Sequence, residues 1–433
     1  MKKQLLALAV AAAFVAPQAV GAEGYAIYEW SAEGLAMGGA RMFAEDDAAN
    51  MAYNPASITK VKGKAAKISA TYLSPHGKFD TKGVPGLTPD ATSGNRIHPA
   101  WAPGTYYVQQ LNDKEWIGMG VYSRFGLISQ FEPDSIAGTN AFSSKLFGVS
   151  TGINYARKLD KKWSASVGAE INYVGLQLDK TQAVPNPSAT GLKDSVLGKG
   201  PMHIEGESYA LGWNAAANYE FDDKNEMGVV YRSKVKHSME ADLDMHPTIK
   251  TPYGAMQVHG YGNAYGVVTL PESVNIGYGH KFNDKTRVEA NATWTRWSRY
   301  GALDMTFSNI GGALAGFNGL HPQYKGWDDG WRYAIGVEHK LSDKYALMAG
   351  FAFDESSIPY EGGDFMIPTG IRKTYSLGVQ YKDKDQTLAV STGWMDVGSL
   401  DFVGHPATGD GFTSAHTRDS YTKIYSISYQ RNF

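Results

Sequence analysis

The 433-residue chain contains no cysteine, so no disulfide can staple it and its stability has to come from hydrogen bonding and burial. It also has no stretch of roughly 18 consecutive apolar residues that could cross a bilayer as a helix. Its mean hydropathy of −0.33 is too polar for a helical membrane protein, so any membrane crossing would have to be made by strands. One-sided charge is missing too. With 41 Lys and Arg against 43 Asp and Glu, the formal charge is −2, which gives no reason to expect a nucleic-acid partner. There is no His-Glu-x-x-His and no Walker loop, and nothing in the order of residues pairs a Ser with a His as nucleophile and base. These absences argue against an enzyme and imply no cofactor.

What is present is aromatic and glycine-rich: 49 Gly, 26 Tyr, 17 Phe and 10 Trp. Residues 1–22 carry Lys2 and Lys3, an apolar run from Leu5 to Val15 and small residues before Glu23, the pattern of a secretory signal peptide. Its removal takes away two positive charges and moves −2 to −4. Residues 23–63 are unlike the rest. They are rich in Gly and Ala, carry the acidic knot Glu45, Asp46 and Asp47, and end in an Asn54-Pro55-Ala56 turn. A segment with no sustained period cannot bury a core of its own, so it is read as a plug held inside something larger. Pro55 fixes its own φ and biases Asn54 away from helix, which sets the point where the plug turns out toward the next element near Gly63.

Residues 64–433 read as strands. Trp163, Ala165, Val167, Ala169, Ile171 and Tyr173 alternate with Ser164, Ser166, Gly168, Glu170 and Asn172, and the Trp331–Glu338 and Thr374–Tyr381 stretches behave likewise. Short polar turns at Asn112–Lys114, Asp160–Lys162, Asp222–Asn225, Asn283–Lys285, Ser342–Lys344 and Lys382–Asp385 separate longer Gly-, Pro- and Ser-rich excursions. Six short turns and seven long loops predict an all-β fold: an antiparallel transmembrane barrel of about fourteen strands, with both ends on the short-turn rim. Phe433, with Tyr425, Ile427 and Tyr429 on its face, fits the terminal signal read by the outer-membrane assembly machinery. The implied place is the bacterial outer membrane, among its lipids and lipopolysaccharide.

The amino-terminal motifs carry a resemblance. Ser31-Ala32-Glu33-Gly34-Leu35, Gly38-Gly39-Ala40, Glu45-Asp46-Asp47-Ala48 and Asn54-Pro55-Ala56 resemble the hatch of the FadL family of outer-membrane transport proteins. Gly118 and Gly120, leading to Phe125 and Gly126, resemble its third strand, although Arg124 stands where relatives often carry Pro. Gly228 to Ser233 resembles its Tyr-Arg-Ser strand. The resemblance implies a plugged barrel that takes up long-chain fatty acids or other hydrophobic molecules, with a kinked third strand opening the wall sideways.

Elementary partitioning points the same way, since a greasy solute needs an apolar path shielded from water. Leu192, Val196, Leu197 and Met202 in one excursion, and Ile310, Leu314, Phe317 and Leu320 in another, are candidates for ligand capture or for packing loops over the mouth. Arg332 and Arg232, on predicted lumenal faces with Glu170, Glu289 and Glu338, are candidates to hold a carboxylate or to pair across the lumen. Asp242, Asp244 and His246 alternate as a possible ligand trio, but a solvated face is the simpler reading and no metal is assigned. The expected partner is a hydrophobic small molecule, fatty acid or aromatic hydrocarbon, bound by a monomer. The alternative is a general diffusion porin.

Overall fold

The structure, a computed structural model, describes residues 24–94, 99–132, 135–186, 188, 196–406 and 410–433. The expected signal peptide and Leu192 lie outside the described residues. Fourteen antiparallel strands close into a ring: Lys64–Gly83, Ala100–Asn112, Glu115–Tyr122, Ser143–Lys158, Trp163–Pro185, Val196–Glu220, Asn225–Arg232, Ser273–Lys281, Thr286–Thr295, Gly330–Lys340, Tyr345–Asp354, Arg372–Asp383, Gln386–Val397 and Phe412–Asn432. Each pairs with the next, and the first pairs with the last from Ala65 opposite Asn432 to Gly83 opposite Phe412.

The short turns have a local cause. Asp160 Oδ1 accepts the backbone N–H groups of Lys162 and Trp163, both at 2.7 Å, and Asn112, Asp222, Asn283 and Ser342 accept from their own turns in the same way. Such side-chain acceptors stabilise a tight reversal, and the donated bonds hold the Asp160 and Asp222 carboxyls below the usual range.

Alternation alone bounds the first, fifth, sixth and last strands at Lys64–Leu73, Trp163–Leu176, Glu205–Phe221 and Tyr421–Phe433, and reads the third, seventh and eighth as continuous over Trp116–Arg124, Glu226–Lys236 and Val267–Phe282. The first four run well past those ends on the long-loop side, and the other three are interrupted. The third stops at Tyr122 and resumes as Gly126–Gln130, the seventh stops at Arg232 and resumes as Val235–Met245, and the eighth is preceded by Gly260–Leu270. Local chemistry explains the last two breaks. Pro271 has no N–H to give a ladder, and Ser233 Oγ takes the Trp213 N–H at 2.9 Å in place of a backbone carbonyl.

The wall is apolar outside and polar inside over its short-turn half. Val167, Ile171, Ile335, Leu377 and Ile427 are exposed on the outer surface, while Glu170, Asn154, Asn214 and Ser428 are buried in the lumen. Aromatic pairs band this surface at two levels, with Trp163 against Tyr219 at 4.7 Å near the short turns and Trp394 against Tyr421 at 4.3 Å further along.

Above the second level the sense reverses. Along the fifth strand the inward residues change from Ser164, Ser166, Glu170 and Asn172 to Val174 and Leu178, and along the sixth from Asn218 and Asn214 to Ile204 and Met202. Outward positions change the opposite way, to exposed Lys236, Glu240 and Asp242 on the resumed seventh strand. A wall that leaves hydrocarbon for water has to turn its apolar side inward. The same outward face should therefore respond to charge according to height: Val167→Arg is expected to cost about 2–4 kcal/mol in urea unfolding from lipid vesicles, and Glu240→Arg less than about 1 kcal/mol.

Candidate hydrophobic transport path

The path has a polar floor built on the amino-terminal segment. Ser31 Oγ accepts the Gly34 N–H at 3.0 Å and caps a short helix at Ala32–Ala36, a second turn spans Asn50–Tyr53, and Pro55 opens a 3₁₀ helix at Pro55–Lys60. The segment is bonded to strands on every side of the ring. The Ala32 N–H donates to Ser428 Oγ at 2.7 Å, the Met42 N–H to Glu289 at 2.6 Å, and Arg332 donates to the Gly38 carbonyl at 2.6 Å. Wall glycines make room for it. A Cβ on Gly350 would lie 2.2 Å from the Gly38 nitrogen, and one on Gly118 would lie 2.2 Å from the Met51 sulfur; Gly120 faces Tyr106, Tyr122 and Met51.

The acidic knot divides its contacts. Asp47, buried, pairs with Arg41 at 3.1 Å and Lys67 at 2.7 Å, Glu45 meets Lys60 at 3.3 Å and Lys281 at 3.1 Å, and Asp46 lies 3.4 Å from Lys382. At the turn, Asn54 Oδ1 accepts the Ala56 N–H at 3.1 Å while its amide donates to Asn218 at 2.6 Å. The chain then leaves through Gly63, whose φ of +63° favours glycine.

The wall opens beside this floor. The second and third strands pair from Asn112–Glu115 up to Gly104–Tyr122. Beyond that point Ala100–Pro103 stays with the first strand and Gly126–Gln130 pairs with the fourth, so among the described residues no ladder joins the two. The amino-terminal segment takes the vacant place: the Ile27 N–H donates to the Arg124 carbonyl at 2.9 Å, and the Gly126 N–H to the Tyr25 carbonyl at 2.8 Å. Arg124 turns inward to Glu170 at 3.0 Å, which also holds Arg232 at 2.8 Å and accepts from Tyr122 and Asn214. A cavity of about 40 Å³ lies here, between Ile27, Tyr28, Phe125, Arg232 and Asn275.

Above the floor is an apolar vault. Leu127, Leu146, Val174, Leu178, Met239, Leu243 and Met305 pack together to form it, and the long loop between the ninth and tenth strands folds Ile310, Leu314 and Phe317 into the same cluster. Leu320 and Val196 are exposed, Met202 is buried in the vault, and Leu197 packs against it. Arg332 is paired with Asp354 at 2.9 Å and its guanidinium stacks over Tyr28. Asp242 and Asp244 project on the outer face of the resumed seventh strand, with His246 2.8 Å from Asp244. Gly148-Val149-Ser150-Thr151-Gly152 has the spacing of a nucleophile elbow, yet it lies inside the fourth strand, and Ser150 Oγ donates to Asn172 Oδ1 at 2.6 Å. It is not the strand-to-helix turn that such a nucleophile requires.

Sequence reasoning missed the vault and the segment's pairing at the wall break. The signal for the first was present: Val235, Met239, Ala241, Leu243 and Met245 form an apolar alternation that complements the acidic face singled out there.

The floor depends on its buried charges. Lys67 Nζ lies 2.8 Å from Glu33 and 2.7 Å from Asp47, all three nearly inaccessible. Lys67→Met strands the Glu33 carboxylate, and a buried charge that loses its partner costs about 3–5 kcal/mol. A matching fall in unfolding free energy, or protease cleavage within residues 24–60 of an otherwise folded barrel, is the expected outcome.

Residues 12–410 match the family described as "Outer membrane protein transport protein (OMPP1/FadL/TodX)". The long-chain fatty acid transport protein of Escherichia coli O6:H1 is 27% identical over 458 residues, covering 99% of this chain and 97% of that one. Outer membrane protein P1 of Haemophilus influenzae is 23% identical and covers 100% of both. In fold, the chain is similar to the crystal structure of a Pseudomonas aeruginosa FadL homologue, with a TM-score of 0.81 at 18% identity over 95% of this chain and 100% of the other. It is also similar to the Pseudomonas putida toluene transporter TodX, with a TM-score of 0.71 at 17% identity over 95% and 99%. With its closed barrel and a family match across most of its length, the chain belongs to the OMPP1/FadL/TodX family of bacterial outer-membrane transport proteins.

Proposed function

We propose that the chain carries long-chain fatty acids across the outer membrane by a lateral route. The observation that carries this reading is the break in the wall between the second and third strands, where an apolar vault meets a polar, filled floor. A fatty acid gains about 0.8 kcal/mol for each CH₂ removed from water, so the vault draws it in from the loops while the charged floor stops it descending. Sideways exit into the bilayer is then the remaining apolar path. Residues 23–63 serve as the plug once a leader ending at residue 22 is removed, and the Asn54-Pro55-Ala56 turn and acidic knot hold it in place.

In this reading Ile310, Leu314 and Phe317 form the inner side of the capture region, with Val196, Leu197 and Leu320 nearer its mouth. Gly118, Gly120, Phe125 and Gly126 shape the opening strand. Arg332 and Arg232 serve the floor through Asp354 and Glu170. The protein works as a monomer without catalysis, and Phe433 marks it for the assembly machinery. A second reading, uptake of aromatic hydrocarbons, is favoured by the rings of Tyr25, Phe125, Trp297, Tyr300 and Trp327 gathered beside the break.

Deleting Gly24–Ala56 separates a plugged transporter from a porin or a structural barrel. The expected result is higher ion conductance in planar bilayers together with loss of selective fatty-acid uptake. A folded deletion variant with unchanged conductance and normal uptake would show that the segment closes nothing.

A further inference from the structure

Three buried hydrogen-bond donors stand together at the wall break without an acceptor. Tyr25 and Trp297 are fully buried and Trp327 is 3% exposed. Their rings form a mutually packed triangle: Tyr25 to Trp297 at 4.8 Å, Trp297 to Trp327 at 5.4 Å and Tyr25 to Trp327 at 6.1 Å. Among the described residues none of Tyr25 Oη, Trp297 Nε1 and Trp327 Nε1 has a hydrogen-bond partner. Buried Tyr and Trp ordinarily find one, because an unmet donor costs the desolvation of its N–H or O–H. Three unmet donors in one cluster, one of them on Tyr25, whose carbonyl takes the Gly126 N–H, form an unsatisfied site at the place where a ligand would leave the lumen.

We infer that Tyr25, Trp297 and Trp327 form a transfer subsite for the oxygen head of an apolar ligand: a carboxyl, hydroxyl or carbonyl on a hydrocarbon body. This rests on the transport reading above and narrows it, since a pure hydrocarbon has no acceptor to offer. The donors are neutral. They reward an oxygen without the strong grip of a guanidinium, which suits a station that must also release its ligand. The neighbouring cations are engaged otherwise, Arg124 and Arg232 on Glu170, Arg332 on Asp354 and Arg372 on the Gly24 carbonyl at 3.0 Å.

Tyr25→Phe removes one donor and keeps the ring. Binding of dodecanol and of dodecane to the full-length protein in detergent gives a headed-over-headless affinity ratio, and dodecanoate as a third ligand distinguishes a charged head from a neutral one. The variant should lower the ratio about fivefold, with Trp327→Phe lowering it further, while the midpoint of thermal unfolding of the ligand-free protein stays level or rises. A ratio unchanged by both variants, or a fall in thermal midpoint for Tyr25→Phe showing that the hydroxyl is already satisfied, overturns the inference. If the wild type binds both ligands with a ratio near one, the inference alone falls; if it binds neither, the transport reading falls with it.

Discussion

A backbone amide in hydrocarbon has no water to bond, and this constraint shapes the whole molecule. It requires the ring to close, which Lys64–Gly83 and Phe412–Asn432 accomplish through an almost continuous ladder. It also restricts any opening in the wall. Where the third strand parts from the second, the Arg124 carbonyl and Gly126 N–H would be left unmet; the backbone of Tyr25 and Ile27 meets them. The break is tolerated because a stretch distant in sequence from the third strand, the amino-terminal segment, completes the sheet there.

The second governing fact is that one strand passes through two media. A period-two alternation has only two faces, so when the outside changes from lipid to water the inside has to change from polar to apolar. That single reversal yields both halves of the path. Below it, Glu170, Asn214, Arg232 and Arg287 can be buried because the segment and one another satisfy them. Above it, Val174, Leu178, Leu243 and Met245 belong to an apolar cluster that also takes in the loop residues Ile310 and Leu314. A floor rich in ion pairs also gives that region a defined arrangement, because each charge displaced from its partner would remain buried and alone.

Much of this was legible from the residues. The six polar turns were readable because Asp and Asn close their own reversals, as Asp160 does, and turn count fixed strand number. The barrel's lipid face was readable at Val167 and Ile171 for the same reason that made their partners Ser166 and Glu170 lumenal. What escaped were features that depend on distant segments. Strand ends could not be placed because Ala91–Gly94 and Asp401–Val403 extend the sheet beyond the membrane by pairing with the first and last strands. Ile310 and Leu314 read as an anomaly in a solvated loop because nothing local shows that the loop folds back over the mouth. Arg124 looked like a departure from the third-strand pattern, and its reason, Glu170 on the fifth strand, is 46 residues away.

The break, the amino-terminal segment and the charge network are joined by a chain of hydrogen bonds. Tyr25 and Ile27 close the wall at Arg124 and Phe125; five residues on, Trp30 donates to the Ser123 carbonyl at 2.7 Å and sits under the Arg232 guanidinium. Arg232 in turn reaches the Ala52 carbonyl and shares Glu170 with Arg124. Tyr25 and Trp30 thus tie the start of the segment to the wall, while the bonds of Met42 to Glu289 and of Asp47 to Lys67 lie further along the segment, beyond the helix at Ala32–Ala36. Each part of the segment is held by its own set of bonds, the first residues at the wall break and the later ones in the floor.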